Sequence, residues 1–528
     1  MMKLALCALA LLLLNRAAAQ DDCCFSINKT SRQFMDTYGR ARIFHGVNIV
    51  YKRFPYHPIN ATFDPQLSLS SEDVTFLKEN GFSVVRLYVA WPGLEPSKGS
   101  YNSTYLDVLA DFVDVLGKAG IYTILDCHQD VWSPKFCGEG APDYAALYEN
   151  RTIKPLQFPT PIPTLSPFKV DPKTGYPDAE ECSKHNFFTY YFTDAVGKTM
   201  QSLYDNEQQI QDHFGMFWER VAERFEGNEY VLAYELLNEP WAGDVYRHPD
   251  QLEPHVADAK NLQPMYKKLH ESIRKYDQKH IIMFEPTIII TSVPVGGFAN
   301  TGLSEGPGGP AFNDRQALSY HLYCVFLDSH GQPSNTRFCD ASNKEVVGIR
   351  MDDAKKLGVA GFLTEWGAYD DATYPGSKPY EDALDILRLA DQHLQSWTYW
   401  QYKGYGDFTT QSSSASEGLW FMNGSLQTHK LELLTRTYAK AVSGDFVSQT
   451  FSPETGNFLL SFIARTKLAH APSLIYLNED IHYPNGFTVS VSPSGAAVYS
   501  TSHNTIELSL SETVMDGQVL TVEIVQKT

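Results

Sequence analysis

Val231-Leu232-Ala233-Tyr234-Glu235-Leu236-Leu237-Asn238-Glu239-Pro240 is the stretch on which the reading of the fold turns. Residues 231–237 form an apolar run of strand length, and the run stops on a polar pair and a proline. Just before it, Phe214, Phe217, Trp218, Val221, Ala222 and Phe225 fall at i, i+3, i+4, i+7, i+8 and i+11. That spacing predicts one apolar helical face, which Gly227 closes. Just after it, residues 265–276 predict a helix and residues 280–284 another strand, again ending in Glu285-Pro286. The unit is a helix, then a buried strand, then a polar tip.

The same unit recurs on both sides. Strands are predicted at residues 43–50, 82–88, 121–127, 231–237, 280–284, 317–322, 361–364 and 397–402. Helices lie between them. One starts at Ser71, capped by Ser70 or Ser71 with Glu72 and Asp73 in its first turn; others span 105–118, closed by Gly120, and 381–394. Eight strands alternating with helices predict a (β/α)8 TIM barrel. The rival, a doubly wound open sheet, lacks its Gly-x-Gly-x-x-Gly turn after the first strand. After Ser443-Gly444 the helices stop. Seven short strands follow, at 447–451, 458–462, 474–477, 487–491, 497–500, 505–510 and 519–525, and predict a small C-terminal β-sandwich. The expected division is 1–19 signal peptide, 20–443 barrel and 444–528 sandwich. A length of 528 residues, more than one core comfortably serves, agrees with two folded domains.

The net charge of -19 sets the chain against nucleic acid, which it would repel. Lys3, the apolar run at 4–14 and Ala17-Ala18-Ala19 read as a secretory signal peptide, too short to span a membrane. The tail Val525-Gln526-Lys527-Thr528 matches neither a retention nor an anchor signal. Secretion predicts disulfides. Without Cys7 there are seven cysteines, so one is left over. Cys127, inside an apolar run, is expected to be the free one. Cys137–Cys182 and Cys324–Cys339 are the expected bridges, and Cys23 and Cys24 stay ambiguous. Sequons at Asn28, Asn60, Asn102, Asn150 and Asn423 fit the same route.

In a barrel of this kind the chemistry sits where strands end. The polar residues there are Asn48 and Lys52, Arg86, Asp126 with His128 and Asp130, Asn238 with Glu239, Glu285, His321 with Tyr323, Glu365, and Trp400. Glu239 and Glu365 can supply the acid and the second carboxylate that glycosidic cleavage requires. Glu285 also ends a strand before a proline and is read as structural. Each assignment has a plainer alternative: a barrel-bottom ion pair for Arg86, a core histidine for His321, core packing for Trp400 and a solvated charge for Lys52. Asp126 and His128 find no third ligand at metal-like spacing.

Leu236-Leu237-Asn238-Glu239-Pro240 and Thr364-Glu365-Trp366-Gly367 resemble the acid/base and nucleophile motifs of the retaining (β/α)8 glycosidase clan that contains the endo-cellulases. Gly46-Val47-Asn48 with Lys52, residues 91–96 (WPGLEP) and residues 126–133 (DCHQDVWS) are similar to the endoglycoceramidase family within it. The resemblance covers nearly all of the chain beyond residue 19. It implies a retaining endo-β-glycosidase that cuts between the glycan and the ceramide of glycosphingolipids, with water as co-substrate and no metal or organic cofactor. Glu239 would be acid/base and Glu365 nucleophile. Asn238 would bond the reacting sugar's 2-hydroxyl. Tyr323 would hold Glu365 and Arg86 would keep it ionised. His128 and His321 would bond sugar hydroxyls or orient Glu239, and Trp400 would lie under the reacting ring. Lys52 and Asp130 would hold the next sugar, with Asp126 a further contact. A glucosylceramidase, an endogalactosylceramidase or a secreted β-glucanase is the alternative, and a dead, glycolipid-binding barrel a more distant one. A secreted monomer is expected, with transient membrane, detergent or activator contact left open. Two apolar loops, 187–192 and the segment Ile288, Ile289, Ile290, Val293, Val295 and Phe298, are expected to line a ceramide groove or face a membrane.

Overall fold

The computed structural model describes residues 24–146, 156–163, 168–288, 298–324, 326–328, 332–367, 369–410 and 415–527. The signal-peptide segment, Cys23, the Asn150 sequon and Ile289, Ile290, Val293 and Val295 lie outside them. Eight parallel strands close into a barrel in chain order: His45–Ile49, Val84–Tyr88, Tyr122–Asp126, Val231–Glu235, Ile281–Phe284, Gln316–Leu322, Ala360–Gly367 and Ser396–Trp400. Nearly every residue in them is buried, as expected of strands covered on both faces. The strands approach closely: a Cβ added at Gly46 would lie 2.0 Å from the Val84 carbonyl oxygen, so no side chain fits there.

The predicted helices form where expected. Ser70 caps Ser71–Glu79 through a capping box with Asp73. The aromatic face between Phe214 and Phe225 is buried along Ile210–Phe225. A 22-residue helix, Thr336–Leu357, was not read from the sequence, which lacks a strong apolar stripe there.

Two antiparallel sheets follow the barrel. One joins Gly444–Phe451, Phe458–Ala464, Val519–Gln526 and Phe487–Ser492. The other joins Tyr438–Val442, Ser473–Tyr476, Thr505–Leu510 and Ala497–Ser502 with three two-residue strands from the chain's start, Ser26–Ile27, Phe34–Met35 and Ala41–Arg42. The sheets share a core that includes Ile475, Leu508, Phe446, Leu460, Phe462 and Val522, the inward residues of alternating strands. Pairing of residues 26–42 with this sheet was not legible, because two-residue strands carry no period.

The same early segment plugs the barrel. Phe25 and Phe34 meet Phe44 edge-on at 5.4 and 5.9 Å, and Phe34 meets Phe362 at 5.8 Å. They join Val84, Ile124, Ile281, Met283 and Ala317 in one buried cluster. The sandwich docks through Tyr438, which stacks on His45 and donates to the Gly81 carbonyl, and through a buried Arg436–Asp391 ion pair. Cys137–Cys182 and Cys324–Cys339 are bridged, and Cys127 is free and buried.

Candidate active site

Parallel register brings the polar strand ends together. Asn48 sits beside Arg86, Asp126 beside Glu235, and His321 beside Glu365. Arg86 is fully buried at the centre. Its Nη1 donates to Glu365 Oε2 and Asn48 Oδ1, both at 3.0 Å, and its Nε to Glu235 Oε2 at 2.6 Å. Nη2 donates to Asn238 Oδ1 at 2.8 Å and lies 3.1 Å from Asp126 Oδ1. Burial opposes the guanidinium's charge, but three carboxylates outweigh it and hold its pKa above the usual value. A barrel-bottom ion pair is therefore not its place.

Glu239 and Glu365 face each other. One carboxylate oxygen of each and a ring nitrogen of His321 lie within 4.8 Å of one another. Tyr323 donates to Glu365 Oε1 at 2.7 Å, and Arg86 holds the other oxygen. His321 Nδ1 is 2.8 Å from Glu239 Oε1, and its Nε2 is 3.6 Å from Glu365 Oε2. Burial lowers the His321 pKa to about 4, so the ring is neutral.

Burial, helped by the charge of Asp130, pushes Glu239 up to about 8. Glu365 is raised too: here burial outweighs the opposing pull of His321 and Arg86. The two environments still differ. Glu365 receives a cation and a phenol; Glu239 receives a neutral imidazole. A proton shared by the pair therefore rests on Glu239. With the single imidazole proton on Nε2, His321 accepts from protonated Glu239 and points its N–H at Glu365.

The backbone around Glu239 is held from below. Its φ is +41°, a left-handed value uncommon outside glycine. Its N–H donates to Glu285 Oε2 at 2.8 Å, and Gln129 Nε2 donates to the carbonyls of Asn238 and Glu239 at 3.0 and 2.8 Å. Glu285, read as structural, supports the loop that carries Glu239. Burial and the neighbouring Glu239 raise its pKa well above the ordinary range.

Asn238 is fully buried with its amide engaged: the oxygen accepts from Arg86, and Nδ2 donates to the Gln129 carbonyl at 3.0 Å. Asp126 is also fully buried. It serves His128, at 2.9 Å, and Arg86 rather than an open cleft. Burial works against a charged His128, but Asp126 and Asp130 overcome it and push the imidazole up to about 10. His128 stacks on Trp400 with centroids 5.2 Å apart. Trp400 Nε1 donates to Glu417 Oε2 at 2.9 Å.

Lys52 is not a solvated charge; it is 3% exposed. Its Nζ lies 2.6 Å from Asp130, 3.0 Å from Asp407 and 3.3 Å from Glu139, and 4.9 Å from the centroid of the Trp400 ring. Ligand atoms of His128, Asp130 and Glu139 come within 4.8 Å of one another, a grouping that could hold a metal ion, but the Lys52 ammonium already supplies the positive charge there. Sequence reading missed Glu139, Asp407 and Glu417, which lie on long loops without periodicity. It also gave no role to Gln129 or Glu235, although a charge inside the run 231–237 was a signal.

The expected aromatic loop is turned inward. Tyr190 and Tyr191 are buried, Phe187, Phe188 and Phe192 are half-buried, and Tyr191 stacks on Trp241 at 5.3 Å. It covers the barrel's own loops. Ile288 is buried as well.

Comparison with known proteins adds a family to this geometry. The model of cellulase (glycosyl hydrolase family 5) matches residues 51–156 and 185–406, and the glycoside hydrolase family 5 C-terminal domain matches 436–524. An endoglycoceramidase of Cyanea nozakii is 37% identical over 502 residues, covering 95% of this chain and 94% of its own. That of Hydra vulgaris is 36% identical, covering 90% and 85%. Endo-glycoceramidase II from Rhodococcus sp., solved as a ganglioside GM3 complex, superposes with a TM-score of 0.72 at 21% identity, covering 94% of this chain and all 100% of that one.

Proposed function

The chain belongs to glycosyl hydrolase family 5, among the endoglycoceramidases, and from that premise we propose that this glycosidase hydrolyses the bond between glycan and ceramide of glycosphingolipids with retention of configuration. The observation that carries the reading is the close pairing of Glu239 with Glu365. One oxygen of each carboxyl lies within 4.8 Å of the other, a spacing that favours the roughly 5–5.5 Å separation of retaining enzymes over the roughly 6.5–9.5 Å of inverting ones.

In the first step Glu365 attacks the anomeric carbon while Glu239 gives its proton to the ceramide oxygen, which leaves as an alcohol. In the second, Glu239, now ionised, takes a proton from water, and the resulting hydroxide displaces Glu365 and frees the glycan. Arg86 and Tyr323 hold Glu365 in line. His321 stays a neutral hydrogen-bond partner that orients Glu239. Asn238, tied to Arg86 beside the two carboxyls, would bond the 2-hydroxyl of the reacting sugar. Trp400, stacked on His128, would lie under the reacting ring, and Lys52 and Asp130 beside it would hold the second sugar.

The lipid would lie on the other side. Tyr323 leads into Cys324, Phe326 and Leu327. Phe326 and Leu327 are 40% and 48% exposed, and Phe326 packs against Phe338 with ring centroids 5.4 Å apart. Two bridged cysteine pairs and exposed sequon residues Asn60, Asn102 and Asn423 support a secreted protein.

The test is product analysis. Purified protein and a ganglioside or lactosylceramide should yield the intact oligosaccharide and ceramide. Action only on cellulose or mannan oligomers would replace the reading with a glucanase. The pH profile of kcat/KM should be bell-shaped. The acid must be protonated, so activity falls as pH rises through the raised Glu239 pKa; the nucleophile must be ionised, so it falls as pH drops through that of Glu365. An alkaline limb in the ordinary carboxylate range would contradict the burial effect at Glu239.

A further inference from the structure

A cleft opens at Lys52, and neither Glu239 nor Glu365 is among its lining residues. It has a volume of about 420 Å³, within the range of small-ligand sites. It begins at Lys52 and Glu139 and runs between the loops after the first three barrel strands, with Tyr56, Pro92, Tyr105 and Tyr176 among its walls. A second cavity of about 260 Å³ shares Lys52, Phe54, Tyr56 and Tyr176 with it and reaches Phe408. The two form one groove that starts at the wall of the polar cluster.

Three features give the groove a chemistry. Flat rings and prolines beside polar groups suit sugar faces better than a lipid chain. Phe54, at the rim, is 84% exposed, an apolar ring with little of its own protein to cover it. Beside it Arg53 is exposed, with its guanidinium 4.6 Å over the Phe408 ring, and it pairs with no carboxylate among the described residues. Glu139 and Asp143 also line the groove, so Arg53 at its rim is the group with which an anionic sugar could pair. The groove's place agrees. It lies over strands one to three, across the barrel from the strand-six loop with Phe326 and Leu327, and it shares Lys52 and Glu139 with the polar cluster on which the second sugar would rest.

We propose that this groove is a further carbohydrate subsite, which stacks the third sugar of the headgroup on Phe54 and reads a carboxylated sugar through Arg53. The proposal rests on the glycosphingolipid reading above. Three glycolipids with one ceramide test it: two sugars, three neutral sugars, and three sugars ending in an acidic one. Phe54→Ala should lower kcat/KM about fivefold to tenfold on both three-sugar substrates, and Arg53→Gln about tenfold on the acidic one only. Neither variant should move the two-sugar substrate beyond about twofold, and both positions are exposed, so folding is not at stake. Equal losses on all three substrates, or none on any, would overturn the subsite. Failure of the wild type to cleave any of them would instead sink the functional reading. Calorimetric binding of the free oligosaccharides, which needs no turnover, would then still decide the subsite. The acidic three-sugar glycan should bind about tenfold tighter than the two-sugar one, and equal affinity would refute the proposal.

Discussion

Glu365→Gln is expected to cut kcat on a glycosphingolipid by about 10⁵-fold, with the thermal midpoint within a few degrees of wild type. The amide is isosteric but cannot attack the anomeric carbon. It keeps one oxygen, which can still accept from Tyr323 or from Arg86 but not at both sites, while Glu235 and Asp126 still balance the guanidinium. Removing a carboxylate whose charge burial already disfavours also costs the fold little. Single-turnover assays with product separation would measure the loss, and calorimetry the folding. Activity within a hundredfold of wild type, in a folded variant, would take the nucleophile's role away from Glu365.

Glu239→Gln should show a different signature. Ceramide is a poor leaving group and needs the proton, so its release should slow by about 10²–10⁴-fold. An aryl glycoside whose phenol leaves without protonation should lose far less in the first step. Glycosyl-enzyme should then accumulate, because no base remains to activate water, and the alkaline limb of the pH profile should vanish. Mass spectrometry of the intact protein would detect the trapped intermediate. Equal losses with good and poor leaving groups would mean that Glu239 is not the acid.

The contrast depends on environments that no motif contains. Asn238-Glu239-Pro240 places a carboxyl at a strand end. That its backbone is anchored by Glu285 and Gln129, and that its neighbour is a neutral imidazole rather than a cation, follows from three other strand ends. Arg86 could be read as a partner of Glu365 by resemblance, but its simultaneous hold on Glu235 and Asp126 could not. Burial at the barrel mouth is likewise invisible in a motif: desolvation raises even the carboxyl that the arginine contacts.

Local signals of period and turn residues carried the eight-strand barrel and the seven sandwich strands beyond residue 444, though not Tyr438–Val442, and the preferred pairings Cys137–Cys182 and Cys324–Cys339 and the free Cys127 match the structure. The sequence by itself also named the polar strand ends, since a barrel's parallel strands must finish on the same face. Only the tertiary structure decided which of those ends touch. It turned the aromatic segment Phe187–Phe192 inward onto Trp241, sank Lys52 among Asp130, Glu139 and Asp407, and used residues 26–42 to plug the barrel and extend the sandwich sheet. The reason is common to all three. Loops and two-residue strands have no periodicity, so their positions are set by long-range packing and charge pairing, energies that exist only once the chain has closed on itself.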